Sequence, residues 1–280
     1  MTSVFLKDRV TIEVGGKDAS DFLNSIITTD VSGLAAGEAL PGALLTPQGK
    51  ILFDFLIWKD QNIFILETDR SQRDALLKRL TMYCLRAAVD LRPGAAEGVM
   101  VSWNQALDGT KDLRFAKAGV ELTRNLCFDH MEGDDVSAYD ALRISAGIVR
   151  SGADYALQDA FPHDVMMDLN GGVSFSKGCY VGQEVVSRMK HRSTARRRVV
   201  IVSALSTLPV AGTPITANAK PIGVIGSVVD TEGLSVARID RAGEAMAAGI
   251  PLMAGDLEVR LELPAWSGLS FPTSVDEASA

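Results

Sequence analysis

Lys177-Gly178-Cys179-Tyr180-Val181-Gly182-Gln183-Glu184 is the stretch on which the reading of this 280-residue chain turns. Gly178 and Gly182 stand four apart and make it a loop that a ligand or another backbone can approach closely. Gln183 to Lys190 reads as a helix starting just after Gly182. A cysteine near a helix N-terminus and beside a lysine has its thiolate favoured by both the dipole and the ammonium. Cys179 is therefore a candidate reactive thiol, with Lys177 as its activator. The opposing reading of Cys179 is a small buried residue, since free cysteine is commonly buried. Upstream, Asn170-Gly171-Gly172 supplies residues suited to a tight turn, and Val173 to Phe175 reads as a short strand. Downstream the chain turns basic: Lys177 to Arg198 holds seven Lys/Arg and one acid, Glu184, a net +6 in a chain of net −7. Such asymmetry suits an anionic ligand or partner, or a solvated helix face and strand edge.

The rest of the composition narrows the field. Hydrophobic residues at 47% and charged residues at 22% are an ordinary globular balance, and the acidic total argues against a uniformly basic nucleic-acid binder. Three cysteines, Cys84, Cys127 and Cys179, form no CxxC and no disulfide framework, which fits a reducing compartment. Cys84 and Cys127 lie in apolar surroundings and read as inert. No P-loop, GxGxxG, GxSxG or HExxH occurs, and His130, His163 and His191 show no metal-ligand spacing. The opening MTSVFLKDRV has no apolar run of a secretory signal. Val199 to Ala219 is uncharged for 21 residues, but nine of these are Ser, Thr, Gly, Pro or Asn, so it reads as β structure rather than a membrane span.

Periodicity organises the chain coarsely. Val10, Ile12 and Val14 alternate as a strand. Asp18 can cap a helix whose apolar face is Phe22, Leu23, Ile26 and Ile27. Leu44-Leu45 and Ile51-Leu52-Phe53 flank a Pro/Gly turn at 46–50, a hairpin. Ile63 to Leu66 is a strand, Ser71 with Asp74 a capping box ahead of a helix through Leu76, Leu80 and Tyr83, and Gly98 to Trp103 a further strand. Ser137 with Asp140 is a second capping box, with a break near Gly147. From Val199 onward Gly and Pro punctuate short apolar runs, the pattern of a small β-barrel or sandwich.

The 177–184 stretch resembles the KGC[FY]xGQE signature of the YgfZ-type folate-binding proteins. Their mitochondrial relatives are iron–sulfur cluster assembly factors, and both fall within the superfamily of the glycine-cleavage T-protein, an aminomethyltransferase. Gly171 to Phe175 and Arg188 to Arg198 extend the likeness. Weaker likeness runs through Gly16 to Leu23, Thr29-Asp30-Val31, Leu45 to Ile51 with Asp54, Tyr83 to Val89, Tyr139 to Gly147, and Pro221 to Ser227. The resemblance implies an α+β fold of two interlocked ferredoxin-like lobes plus a C-terminal β-barrel, arranged around a central folate channel. It divides the chain into a first lobe of residues 1–45 and 137–192, a second of 46–136, a barrel of 193–265 and a tail of 266–280. Two departures stand out. Pro162-His163-Asp164 replaces the Pro-x-Glu by which T-proteins recognise the pterin, and Arg9 stands where some relatives have an aromatic folate contact.

The function this implies is a tetrahydrofolate-binding accessory protein for iron–sulfur cluster assembly or repair, and thereby for enzymes such as tRNA-modifying ones. In that reading Cys179 and Lys177 carry the thiol chemistry. Tyr139, Asp164, Arg143, Asp54, Gly178, Gly182, Gln183 and Glu184 line the site for tetrahydrofolate or a one-carbon derivative. No resident metal is implied, because one cysteine cannot supply the four thiolates a cluster usually needs. The expected partners are folate and iron–sulfur assembly proteins or client enzymes, without membrane or direct nucleic-acid contact. The expected compartment is the cytoplasm, or the mitochondrial matrix for eukaryotic relatives. The alternative is a folate-dependent aminomethyltransferase-like enzyme in which Asp54 acts on the folate nitrogen. A third reading makes the basic strip a docking surface for a partner or RNA.

Overall fold

Two strands open the chain, β1 (Thr2–Leu6) and β2 (Arg9–Gly15). Val10, Ile12 and Val14 are fully buried on β2, as their alternation predicts. Helix α1 (Ala19–Ile26) buries Phe22, Leu23 and Ile26. Asp18 precedes it without capping it, because its backbone is not extended (φ −100°, ψ 6°) and its carboxylate accepts the Ala88 amide at 2.8 Å. Strands β3 (Glu38–Leu45) and β4 (Ile51–Asp60) form the predicted hairpin, with Gly49 at φ +79° in its turn. β5 (Ile63–Asp69) leads into α2 (Arg70–Tyr83), which buries Leu76 and Leu80. The cap of α2 is Asp69 rather than Ser71. The extended Asp69 accepts the Ser71 amide at 2.9 Å and its hydroxyl at 2.6 Å, which places Ser71 already inside the first turn. β6 (Asp90–Pro93), β7 (Gly98–Trp103), β8 (Thr110–Asp112), α3 (Leu113–Lys117) and β9 (Leu122–Cys127) follow.

These coordinates are a computed structural model that describes residues 2–104, 108–129, 135–192 and 195–273; His130 and the end of the Ser-rich tail lie outside the described residues. The chain forms two compact units, one of Met1–Val136 with Asn170–Gln183, the other of Ser137–Leu169 with Glu184–Ala280. The first is built on a nine-stranded sheet in the order β1-β7-β9-β8-β3-β4-β5-β2-β6. β3 and β8 run parallel and the other neighbours antiparallel.

A buried ion network ties the β8–β9 part of this sheet to the β5–β2 part. Glu67 on β5 accepts Arg9 at 2.7 Å and Arg124 at 2.7 Å, while Arg124 also donates to Asp112 at 2.9 Å. Arg114 closes the network on Asp112 at 2.8 Å. Glu67 and Asp112 are fully buried. Burial pushes both carboxyls up, but it is outweighed: Arg124 and Arg9 hold Glu67 below the usual carboxylate range, and Arg114 with Arg124 does the same for Asp112. Each group therefore binds its proton more weakly folded than unfolded. The stability they contribute is complete above the unfolded value near pH 4 and is lost as pH falls through the lower folded values. Urea midpoints are expected to hold from pH 7 to about 5 and to drop steeply below about 4. A midpoint unchanged between pH 5 and 3 would contradict this account.

In the second unit, α4 (Ser137–Ser145) begins at the predicted Ser137, and Asp140 in its first turn accepts from Arg143 at 2.6 Å. Gly147 ends that turn at φ +67°, where a Cβ would lie 2.3 Å from Pro264. α5 (Gln183–His191) follows the signature loop as predicted. The remaining elements are β10 (Arg197–Ser203), β11 (Pro214–Ala217), β12 (Lys220–Val229), β13 (Glu232–Arg238), α6 (Ile239–Ala247), β14 (Leu252–Ala254) and β15 (Leu257–Glu262). The strands close a six-stranded barrel in the order β10-β13-β12-β11-β14-β15. The uncharged 199–219 stretch thus becomes β10, a loop and β11, and among the described residues no helix is long and apolar enough to cross a membrane. α6 was not legible in a Gly-punctuated region, yet Ile239, Ala242 and Ala245 share one buried face at helical spacing.

Candidate functional site

The signature loop is anchored before it is functional. Asn170 Oδ1 accepts the Gly172 amide at 3.1 Å, which shapes the Asn-Gly-Gly turn. Val173 to Phe175 do not form the predicted strand. Their segment is tied to the residues after α1 instead: the Ser174 amide donates to Thr28 O at 2.9 Å, and the Thr28 hydroxyl donates to Gly172 O at 2.6 Å. Thr28 also accepts the Ala43 amide at 2.9 Å, so one buried side chain joins β3 to the Gly172 carbonyl. Side-chain bonds to threonine satisfy backbone groups that a ladder would otherwise pair.

Lys177 crosses to the same place. Its ammonium donates to Asn24 O at 2.9 Å, Ile27 O at 2.5 Å and Thr29 O at 2.8 Å. It also lies 5.0 Å from the centre of the Tyr180 ring. Burial pulls its pKa down to about 8 against the opposing pull of Asp30. Tyr180 is buried, which pushes its phenol up to about 12, and among the described residues its hydroxyl has no hydrogen-bond partner.

Between these anchors the loop opens. Cys179 is exposed, whereas Cys84 and Cys127 are half-buried. Gly178 is exposed, and a Cβ there would meet nothing within 4 Å. Gly182 is the reverse: φ is +79°, and a Cβ would stand 2.5 Å from Thr46 O and 3.1 Å from Gly49 Cα. The glycine lets the loop close onto the 46–50 turn. Gly182→Ala is expected to cost about 2 kcal/mol or more through strain and overlap. Gly178→Ala should stay within about 0.5 kcal/mol of wild type. Thermal denaturation of the two variants checks the contrast, and equal costs would refute it. Gln183 follows at the start of α5, its amide on Tyr180 O at 3.2 Å. Asp54 is half-buried on β4 opposite Ala43, the residue bonded to Thr28.

The other sequence-predicted residues belong to the second unit. Arg143 is 1% exposed. It donates to Asp140 at 2.6 Å and Asp154 at 2.7 Å, and also to Ser227 and the Ile148 carbonyl. Asp154 in turn accepts the Ser227 amide at 2.7 Å and the Arg150 amide at 2.7 Å. This arrangement makes Arg143 the centre of a buried ion-pair network that fastens residues 150–154 to the barrel, rather than a residue turned to a ligand. Tyr139 is buried on α4. Asp164 is buried, its carboxylate accepting the Phe161 amide at 3.0 Å, and burial holds its pKa above the usual carboxylate range. Glu184 is exposed and pairs with Arg188 at 2.5 Å.

The basic run resolves into separate duties. Arg198 is buried and binds Asp168 at 2.8 Å and His163 O at 2.7 Å. Arg197 pairs with Asp159 at 3.1 Å, while Arg192 and Arg196 are exposed. Among the described residues no group of three or more His, Cys, Asp or Glu comes together to hold a metal. Sequence reasoning missed the α1-end carbonyls that receive Lys177 and the Thr28–Gly172 tie. The only trace was the Thr29-Asp30-Val31 likeness.

Known proteins resemble this chain along most of its length. Residues 196–269 match the CAF17 C-terminal beta-barrel domain. The chain is 30% identical over 240 residues to the mitochondrial iron–sulfur cluster assembly factor IBA57 homolog of Chaetomium globosum, covering 70% of this chain and 54% of that protein. It is 28% identical over 269 residues to the mitochondrial iron–sulfur cluster assembly factor IBA57 of Homo sapiens, covering 82% and 76% respectively. It spans about half the length of the curated fungal relatives it matches. The crystal structure of the glycine cleavage system aminomethyltransferase T from Bartonella henselae superposes with a TM-score of 0.70 at 16% identity, covering 94% of this chain and 85% of that one. That likeness establishes the fold.

Proposed function

This chain is a relative of the IBA57 iron–sulfur cluster assembly factors on a T-protein-like fold, and from that premise we propose that it serves iron–sulfur cluster assembly or repair as an accessory protein. The observation that carries the reading is Cys179: an exposed thiol in a loop anchored on both sides, within the motif that marks the resemblance. One thiolate cannot hold a cluster alone. A cluster is therefore cargo, held transiently with further ligands from an assembly protein or a client enzyme. Deleting the gene and assaying iron–sulfur enzymes in extracts tests this. Unchanged activities would remove the proposal.

We further propose tetrahydrofolate, or a one-carbon derivative, as the ligand. Asp164 and Tyr139 fit it. A buried carboxyl with a raised pKa suits the polar edge of a pterin, and a phenol ring suits its face. When bound, the folate would supply a one-carbon carrier. Arg143 does not fit, because its donors serve Asp140, Asp154, Ser227 and Ile148. Tetrahydrofolate is expected to raise the Tm with concentration by mass action. Tyr139→Leu should raise Kd about fivefold or more, the loss of about 1 kcal/mol of stacking. Calorimetry showing no heat with wild type would defeat the ligand assignment, and equal affinity of the variant would defeat the stacking role. The aminomethyltransferase alternative draws on Asp54, half-buried on β4 opposite Ala43. Turnover of an aminomethyl donor that is lost in Asp54→Asn and kept in Cys179→Ser would favour it.

A further inference from the structure

The Lys177 ammonium has three N–H donors, and three backbone carbonyls receive them. Asn24, Ile27 and Thr29 stand in the last turn of α1 and just beyond it, where unpaired carbonyls and the helix dipole attract a cation. The Tyr180 ring, nine-tenths buried, flanks the ammonium at 5.0 Å. On the far side of Cys179, Gly182 is seated against Thr46 O. Gly178 and Cys179 are thus an exposed segment fixed at both ends.

Resting on the reading of Cys179 as the working thiol, we propose that Lys177 is a positioning residue whose ammonium pins the Gly178–Cys179 segment to the end of α1, its donors serving those carbonyls rather than the thiol or a ligand carboxylate. Charge alone does not fulfil this role. A tetrahedral ammonium on a flexible stem converges on three carbonyls, whereas a guanidinium presents a planar fork. Lys177→Arg therefore keeps the charge and loses the clamp. Lys177→Met keeps most of the stem and loses both.

The test uses the full chain. Amide exchange is followed at Ser174, Lys177 and Gln183, whose N–H groups bond to Thr28 O, the Ser174 hydroxyl and Tyr180 O. Iodoacetamide alkylation of Cys179 is timed on the same samples, with Gly178→Ala as control. Both Lys177 variants should exchange these amides about tenfold faster or more while the β2–β5 amides keep their protection. Cys179 should alkylate within about threefold of the wild-type rate in both. Unchanged exchange in Lys177→Met would overturn the clamp. Alkylation slowed about tenfold in Lys177→Met and restored in Lys177→Arg would show that charge on the thiol is what matters. Should Lys177→Met not accumulate folded, the Lys177→Arg exchange result decides alone. Failure of the thiol reading is separable: a Cys179→Ser chain that restored iron–sulfur enzymes would remove that reading and leave the exchange result standing.

Discussion

Cys179→Ser is expected to reduce the restored activity of iron–sulfur enzymes to the level of the gene deletion, while the variant folds as well as wild type. The two halves of this expectation have different causes. Stability should change by no more than about 0.5 kcal/mol, because the side chain is exposed and the loop is held by other residues, Lys177 and Gly182. Function should vanish, because a hydroxyl is neither the nucleophile nor the soft ligand that a thiolate is. Cys179 should also be the first of the three cysteines to alkylate. Cys84 is half-buried at the C-terminal cap of α2, its sulfur 3.6 Å from Ala87 O, and Cys127 is half-buried at the end of β9. A Cys179→Ser chain that restores full activity, or a Cys179 that reacts no faster than Cys84, would sink the thiol assignment.

Asp112→Ala should be the most damaging single change to the first unit, costing about 3–5 kcal/mol. The carboxylate is fully buried and receives both Arg114 and Arg124. Its removal takes away one of the two buried carboxylates that Arg124 is seen to pair with, and an undercompensated buried charge is expensive. Arg124→Met should cost a similar amount by leaving Glu67 and Asp112 underpaired. The double variant Asp112→Ala with Arg124→Met should cost clearly less than the sum, since each change removes the group that the other strands. Urea denaturation of the two singles and the double closes the cycle. Additive losses would mean that the groups do not act as a network.

The elements and their faces were legible because burial imposes a local period. Strand alternation at Val10, Ile12 and Val14, the apolar face of Phe22, Leu23 and Ile26, the Pro/Gly turn at 46–50, and the start of a helix at Gln183 each rest on residues a few positions apart. The punctuated C-terminal third likewise announced a small β-barrel or sandwich, and it closes as a barrel. The candidate thiol was legible too, because a lysine, two glycines and a helix start surround it within eight residues.

What those residues do with their polar atoms was settled by the tertiary structure. The Lys177 ammonium lies beside Cys179 in sequence, yet it ends on carbonyls of residues 24, 27 and 29, about 150 positions away. Backbone carbonyls are the same at every position and leave no mark in a sequence. Val173 to Phe175 has the composition of a strand, but the Ser174 amide ends on the Thr28 carbonyl beyond α1, and the Thr28 hydroxyl holds the adjoining Gly172 carbonyl. Arg143 has the place of a ligand-binding residue, but its guanidinium bonds Asp154 nearby and Ser227, 84 positions further along the chain. A hydrophobic pattern specifies which face is buried. A charged or hydrogen-bonding side chain takes whatever partner the packed chain brings within reach, and that partner is chosen by the whole fold.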